Sequence, residues 1–172
     1  YFYNAMKSMS NFSIKFFFTL IYGFLFFTCE KDDICISSVD ESPDLVILLL
    51  DSLNPKQKKS PYGFTIRAIG NEKPLRESSG DSLALPLNFQ ENATQFEFVL
   101  NVGSENENID TLQINYMRID KFINKACGYR ANFILQTPPV KLLNSGNNWI
   151  KGFTILKDTI SDEKAAHLGI LH

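Results

Sequence analysis

The sequence predicts an all-β protein, an antiparallel β-sandwich, immunoglobulin-like or similar, of about eight strands placed after a cleaved signal peptide. Three observations predict it. After Cys35 apolar residues alternate with period two, turn-rich breaks separate these stretches at the spacing of a sandwich or barrel, and helical periodicity is scarce. The 172 residues, 44% apolar and 21% charged, suffice for one domain with its own core. Seventeen Lys and Arg against nineteen Asp and Glu give a net charge of -2. No cationic excess is available to hold a phosphate backbone, so nucleic acid is not an expected partner.

The chain opens on Tyr1, not on methionine, and Tyr1–Ala5 reads as an over-extended frame with Met6 or Met9 as the expected start. Lys7 and Lys15 form a positive n-region, and Phe16 to Thr28 is a run of thirteen uncharged residues. A spanning helix needs roughly 20 apolar residues. This run stops short at Glu30, Lys31, Asp32 and Asp33, so residues 1–28 are expected to be a signal peptide.

The run ends on Cys29, and a secretory signal closed by a cysteine resembles the bacterial lipobox, in which diacylglycerol alkylates the thiol and cleavage leaves the cysteine first. Phe26 and Thr28 stand where most lipoboxes have Leu and a Gly or Ala. The competing reading is a soluble secreted chain cleaved elsewhere, but small-residue cleavage sites are absent. Two or three acyl chains, at about 0.8 kcal/mol per buried CH₂, exceed what stable anchoring requires. Glu30-Lys31-Asp32-Asp33 resembles the Lys-plus-acid export signal of some Bacteroidetes lipoproteins, and reads equally as a solvated tether over residues 29–36. Residues 29–172 hold fifteen basic and nineteen acidic side chains, a net charge of −4. Anionic headgroups should repel such a domain, leaving attachment to the lipid alone.

With Cys29 lipidated, Cys35 and Cys127 remain, and an even remainder in an exported chain suggests a disulfide that pins the start of the domain to a strand near its end. Two free thiols are the alternative.

The domain itself is expected over residues 37–172. Leu45 to Leu50 is a continuous apolar run. Tyr62, Phe64, Ile66 and Ala68 share one face of a strand, as do Phe96, Phe98, Leu100 and Val102. Leu83, Leu85 and Leu87 share another, with Pro86 pointing to a sheet edge. Leu112, Ile114 and Tyr116 form a stripe, and Tyr129, Ala131, Phe133 and Leu135 a second. Trp149 to Leu156 is a long strand candidate, and His167 to Leu171 a short apolar end. Breaks fall at Asn54–Ser60, Gly70–Asp81, Gly103–Asp110 and Pro138–Asn148. Lys121–Ala126 and Ser161–Ala166 are the two places where a helical turn would fit.

Taken together, Cys29 with the charged residues after it, Leu85-Pro86-Leu87, Ile114-Asn115-Tyr116, Cys127-Gly128-Tyr129 and a terminal strand opening on His167 resemble a family of uncharacterised Bacteroidetes lipoproteins of the flavobacterial type. The resemblance implies the Cys35–Cys127 pairing and the β architecture, and no activity.

Catalytic apparatus is missing from the motifs. Of two histidines one is the terminal His172, and no Gly-x-Ser-x-Gly elbow accompanies His167, which reads as a strand-end or sheet-surface histidine. There is no P-loop, dinucleotide fingerprint or zinc motif, so no catalytic residue, metal or cofactor is expected. Ser104–Asp110 offers hard oxygens but lacks the EF-hand order and reads as a solvated loop. Trp149, Tyr62, Tyr116 and Tyr129 could stack on sugars, and read more readily as core.

One pattern exceeds composition: Asp, then Ser or Thr, then an aliphatic residue, at Asp51-Ser52-Leu53, Asp81-Ser82-Leu83, Asp110-Thr111-Leu112 and Asp158-Thr159-Ile160. It resembles the Bacteroidetes O-glycosylation acceptor, making Ser52, Ser82, Thr111 and Thr159 candidate glycan sites at strand boundaries. The same dipeptides make Asx and ST turns. The expected function is a non-enzymatic binding or assembly module, lipid-anchored in the outer membrane with an outer-membrane protein as partner. A small carbohydrate-active or hydrolytic lipoprotein and a lipocalin-like carrier of an apolar ligand are the alternatives.

Overall fold

A computed structural model describes Cys35 and residues 41–77 and 80–172. The expected signal peptide, Cys29, and Glu30, Lys31, Asp32 and Asp33 lie outside the described residues. The described residues fall in two compact units, a small one with Cys35 and Lys125–Cys127, and a large one with every described strand. In the small unit Cys35 and Cys127 form a disulfide, with Cα atoms 4.8 Å apart. The free-thiol alternative therefore falls.

Among the described residues there is no helix, and ten strands form: β1 (Leu45–Leu50), β2 (Phe64–Ala68), β3 (Pro74–Glu77), β4 (Ser82–Leu85), β5 (Ala93–Leu100), β6 (Asn108–Asn124), β7 (Gly128–Leu142), β8 (Gly152–Ile155), β9 (Thr159–Ile160) and β10 (Leu168–Leu171). One sheet runs β4-β1-β10-β8 and the other β3-β2-β5-β6-β7-β9. Both sheets have free edges, so this is a sandwich and not a closed barrel.

Period two dictates which side chains meet between the sheets. Leu45, Ile47 and Leu49 of β1 and Leu168 and Ile170 of β10 face Phe64, Ile66, Phe96, Phe98, Leu112, Ile114 and Phe133 in one buried cluster. Every pair of neighbouring strands is antiparallel except β1 and β10, which run parallel with Ile47 opposite Leu168. The two ends of the domain thus lie side by side. At that seam Gly169 is needed for space: a Cβ there would stand 2.7 Å from both Leu50 Cδ1 and Thr154 Cγ2.

Several expectations change. The Gly70–Asp81 break contains β3, an edge strand opening on Pro74, which hides it from a period-two reading. Lys121–Ala126 is not helical: Lys121 pairs with Arg130 and Phe122 with Tyr129, prolonging β6 to Asn124. Cys127 consequently lies in the β6–β7 connection and not on a strand. Ser161–Ala166 is a turn, because the Asp162 carboxylate accepts the Lys164 amide at 3.0 Å and competes with helical bonding. The Trp149–Leu156 strand shortens to β8, since Trp149 and Ile150 turn inward and donate to Phe98 O and Asp110 Oδ2.

Candidate functional site

Among the described residues a cavity of about 550 Å³ is lined by Glu41, Ser42, Asp44, Arg130, Asp162 and Glu163 among others. Its polar groups are largely spent on one another. Ser42 Oγ accepts the Ala131 amide, Glu163 Oε1 accepts the Asp44 amide, and Arg130 Nη2 donates to Ser161 O. The Lys164 amide and the Lys157 ammonium donate to the Asp162 carboxylate and hold it below the ordinary carboxylate range. A carboxyl held ionised in this way is no proton donor near neutrality.

His167 stands at the strand end expected from the sequence, directly before β10, but it is fully buried and not on the sheet surface. Its Nδ1 accepts the Val46 amide at 3.1 Å. Burial lowers its proton affinity, the Lys157 charge lowers it further, and the Asp162 and Glu163 carboxylates oppose both. A ring in this state serves the β1–β10 seam.

The four Asp-Ser/Thr copies sit in different surroundings. Ser52 follows β1, half-buried, and Asp51 Oδ1 accepts the Leu53 amide in an Asx turn. That amide, and secondarily Lys59, lower the Asp51 carboxyl. Ser82 opens β4 and is exposed. Thr159 opens β9, and its hydroxyl donates to Asp158 Oδ1.

Thr111 departs from the strand-boundary expectation, for it lies inside β6 beside a fully buried Asp110. That carboxylate takes Asn148 Nδ2 on Oδ1 and the Ile150 amide on Oδ2, each at 2.8 Å. Asn144 accepts the Thr111 amide and donates to Ile109 O, so the 143–150 loop is stitched to β6 at both ends. In Ser104–Asp110, Asp110 therefore faces the core, and Glu107 Oε2 accepts the Gly103 amide. Among the described residues no three His, Cys, Asp or Glu side chains gather as a metal site.

Trp149 and Tyr116 are core residues, whereas Tyr62 and Tyr129 are exposed. Tyr129 belongs to a feature that sequence reasoning missed. Pairing of β5 with β6 ends at Ala93 opposite Asn115, and β9 meets β7 only at Phe133 and Ile134. Beyond those points β6 and β7 continue as a two-stranded ribbon, paired from Ile119 with Asn132 to Asn124 with Gly128. Phe122 (54% exposed) and Tyr129 (67%) stack edge to face there at 5.3 Å, with Met117 and Ile119 also exposed. The available signal was the alternation of Met117 and Ile119 with Arg118 and Asp120, which carries the strand pattern up to the stretch given to a helical turn.

Compared with curated proteins and with solved structures, the chain has no match. Its residues 63–172, from just before β2 to the end of the chain, match the model of a family of unknown function, DUF6452, and the chain belongs to that family.

Proposed function

We propose that the protein is a lipid-anchored lipoprotein of the cell envelope, held at the outer membrane by acyl chains on Cys29, and that its β-sandwich is a non-enzymatic binding or assembly module for an outer-membrane protein. The observation that carries this is the uncharged run Phe16 to Thr28 ending on Cys29. Cysteine valence supports it. Cys35 and Cys127 are bonded to each other, so Cys29 is the remaining thiol of the chain's three. The pairing also fits an oxidising compartment. The resemblance to Bacteroidetes lipoproteins belongs to this reading, with Glu30, Lys31, Asp32 and Asp33 as export signal and Ser52, Ser82, Thr111 and Thr159 as glycan acceptors.

The test is metabolic labelling with an alkynyl fatty acid in cells making the wild type or Cys29→Ala. Label on the wild type alone, with the protein in the outer-membrane fraction, is the expected result, and label kept by the mutant refutes the assignment. Intact mass of the native protein decides the glycans, for an increment of lipid alone removes them.

An envelope hydrolase is the second reading. Its one support is the acid-lined cavity with Glu41, Asp44 and Glu163. Turnover of a chromogenic glycoside or ester that disappears in Glu163→Gln would favour it over the binding module.

A further inference from the structure

We propose that the end of the β6–β7 ribbon is a membrane-docking surface that seats Phe122 and Tyr129 among the headgroups of an anionic lipid leaflet. The proposal rests on the Cys29 anchor, which places that leaflet within reach.

Charge is the first argument. Residues 29–172 carry −4 in all, but residues 117–129 hold Arg118, Lys121 and Lys125 against Asp120 alone, a local charge of +2, while Arg130 is turned to the acid-lined cavity. The rest of the mature chain therefore carries −6, and the repulsion expected from the net charge applies to that remainder and not to the ribbon. A cationic end on an acidic body orients the molecule at an anionic surface, ribbon first.

Reach is the second argument. Cys29 and Cys35 are six residues apart, a span of at most ~22 Å for extended chain. Cys35 is bonded to Cys127, which lies between the last residue of β6 and the first of β7. Acyl chains on Cys29 thus tie the bilayer covalently to the ribbon connection, whatever path residues 30–34 take.

Chemistry is the third. Phe122 and Tyr129 are aromatic, exposed and in edge-to-face contact, and a ring with a polar tip such as Tyr129 suits the headgroup layer, where one end is dry and the other wet. Met117 and Ile119 add apolar surface on the other face of the ribbon, beside Lys121. The ribbon's outer edges lack strand neighbours among the described residues, which would also suit a strand from another protein. The local charge favours lipid.

The experiment uses the mature lipidated protein reconstituted on phosphatidylcholine vesicles, with and without phosphatidylglycerol, and reads amide hydrogen exchange over residues 117–134 together with vesicle flotation. The expected result is several-fold slower exchange in this segment on phosphatidylglycerol vesicles only, reversed by high salt and absent in Lys121→Glu/Phe122→Ser, whose exposed side chains leave the sandwich folded. Equal exchange on the two vesicle types overturns the docking, and if exchange on both is slower than in detergent-solubilised protein to the same degree, a second copy covers the ribbon instead. Flotation on neutral vesicles without selective protection leaves the anchor standing while the docking fails. Selective protection without flotation on neutral vesicles keeps the docking and removes the anchor.

Discussion

Val46 and His167 exchange two hydrogen bonds across the seam between β1 and β10: the Val46 amide donates to His167 Nδ1 at 3.1 Å, and the His167 amide donates to the Val46 carbonyl at 2.8 Å. The first bond requires a bare Nδ1, so the ring is neutral with its proton on Nε2. A side chain here completes the ladder that joins the two ends of the domain.

Stability should depend on the pH around this ring. The folded chain holds the His167 pKa below its ordinary 6.5, chiefly through burial, so below that pH the unfolded chain takes up a proton that the folded chain refuses. The stabilisation is fully present above pH 6.5, declines as pH falls through it, and levels off below the folded value. Urea unfolding at about pH 7.5 and about pH 5.5 should show a lower midpoint at the acid pH, and His167→Gln should flatten the difference. A wild type equally stable at both values would contradict the buried neutral ring.

Asp110 should be the most sensitive polar position of the fold. Asp110→Ala removes the acceptor for the Ile150 amide, which is left unpaired in the core, and the shorter of two acceptors for the half-buried Asn148 Nδ2, which keeps only Asn144 O at 3.5 Å. At about 1–3 kcal/mol for the orphaned amide, the cost is on the order of 2 kcal/mol, or roughly 6 °C in Tm for a domain of this size. Thermal unfolding measures the loss, and Thr111→Ala, made alongside, should cost far less.

Gly169→Ala inserts a methyl group 2.7 Å from Leu50 Cδ1 and Thr154 Cγ2. Leu50 is buried and has little room to give, so overpacking of about 1–3 kcal/mol is expected. Denaturant midpoints would read it, and a neutral result would mean that β8 moves aside.

Breaking the disulfide should weaken the protein through its unfolded state. Cys35 and Cys127 are separated by 92 positions, and closing a loop of that length is worth roughly 4–5 kcal/mol in the chain-entropy model. Cys35→Ser/Cys127→Ser should lower the urea midpoint by a corresponding amount, while alkylation of the unreduced native protein should modify neither cysteine.

The strand content, the inward stripes Phe64/Ile66, Phe96/Phe98 and Leu112/Ile114/Tyr116, the β4 edge marked by Pro86 and the Cys35–Cys127 pair were all legible in the residues, because period two and cysteine arithmetic are local or countable properties. Whether a stripe is covered was not legible. Tyr62 and Tyr129 extend two of the stripes and stand exposed, since what caps a strand end is another part of the chain.

The sequence by itself determined an all-β chain and its paired cysteines. Only the tertiary structure decided that β1 and β10 lie parallel, that His167 and Asp110 are buried, and that β6 and β7 outrun their neighbours to leave a cationic aromatic ribbon. The division has a physical cause. Periodicity records which face of a strand seeks an apolar neighbour, whereas the identity of that neighbour, and where neighbours run out, depends on contacts between residues a hundred or more positions apart, such as Val46 and His167.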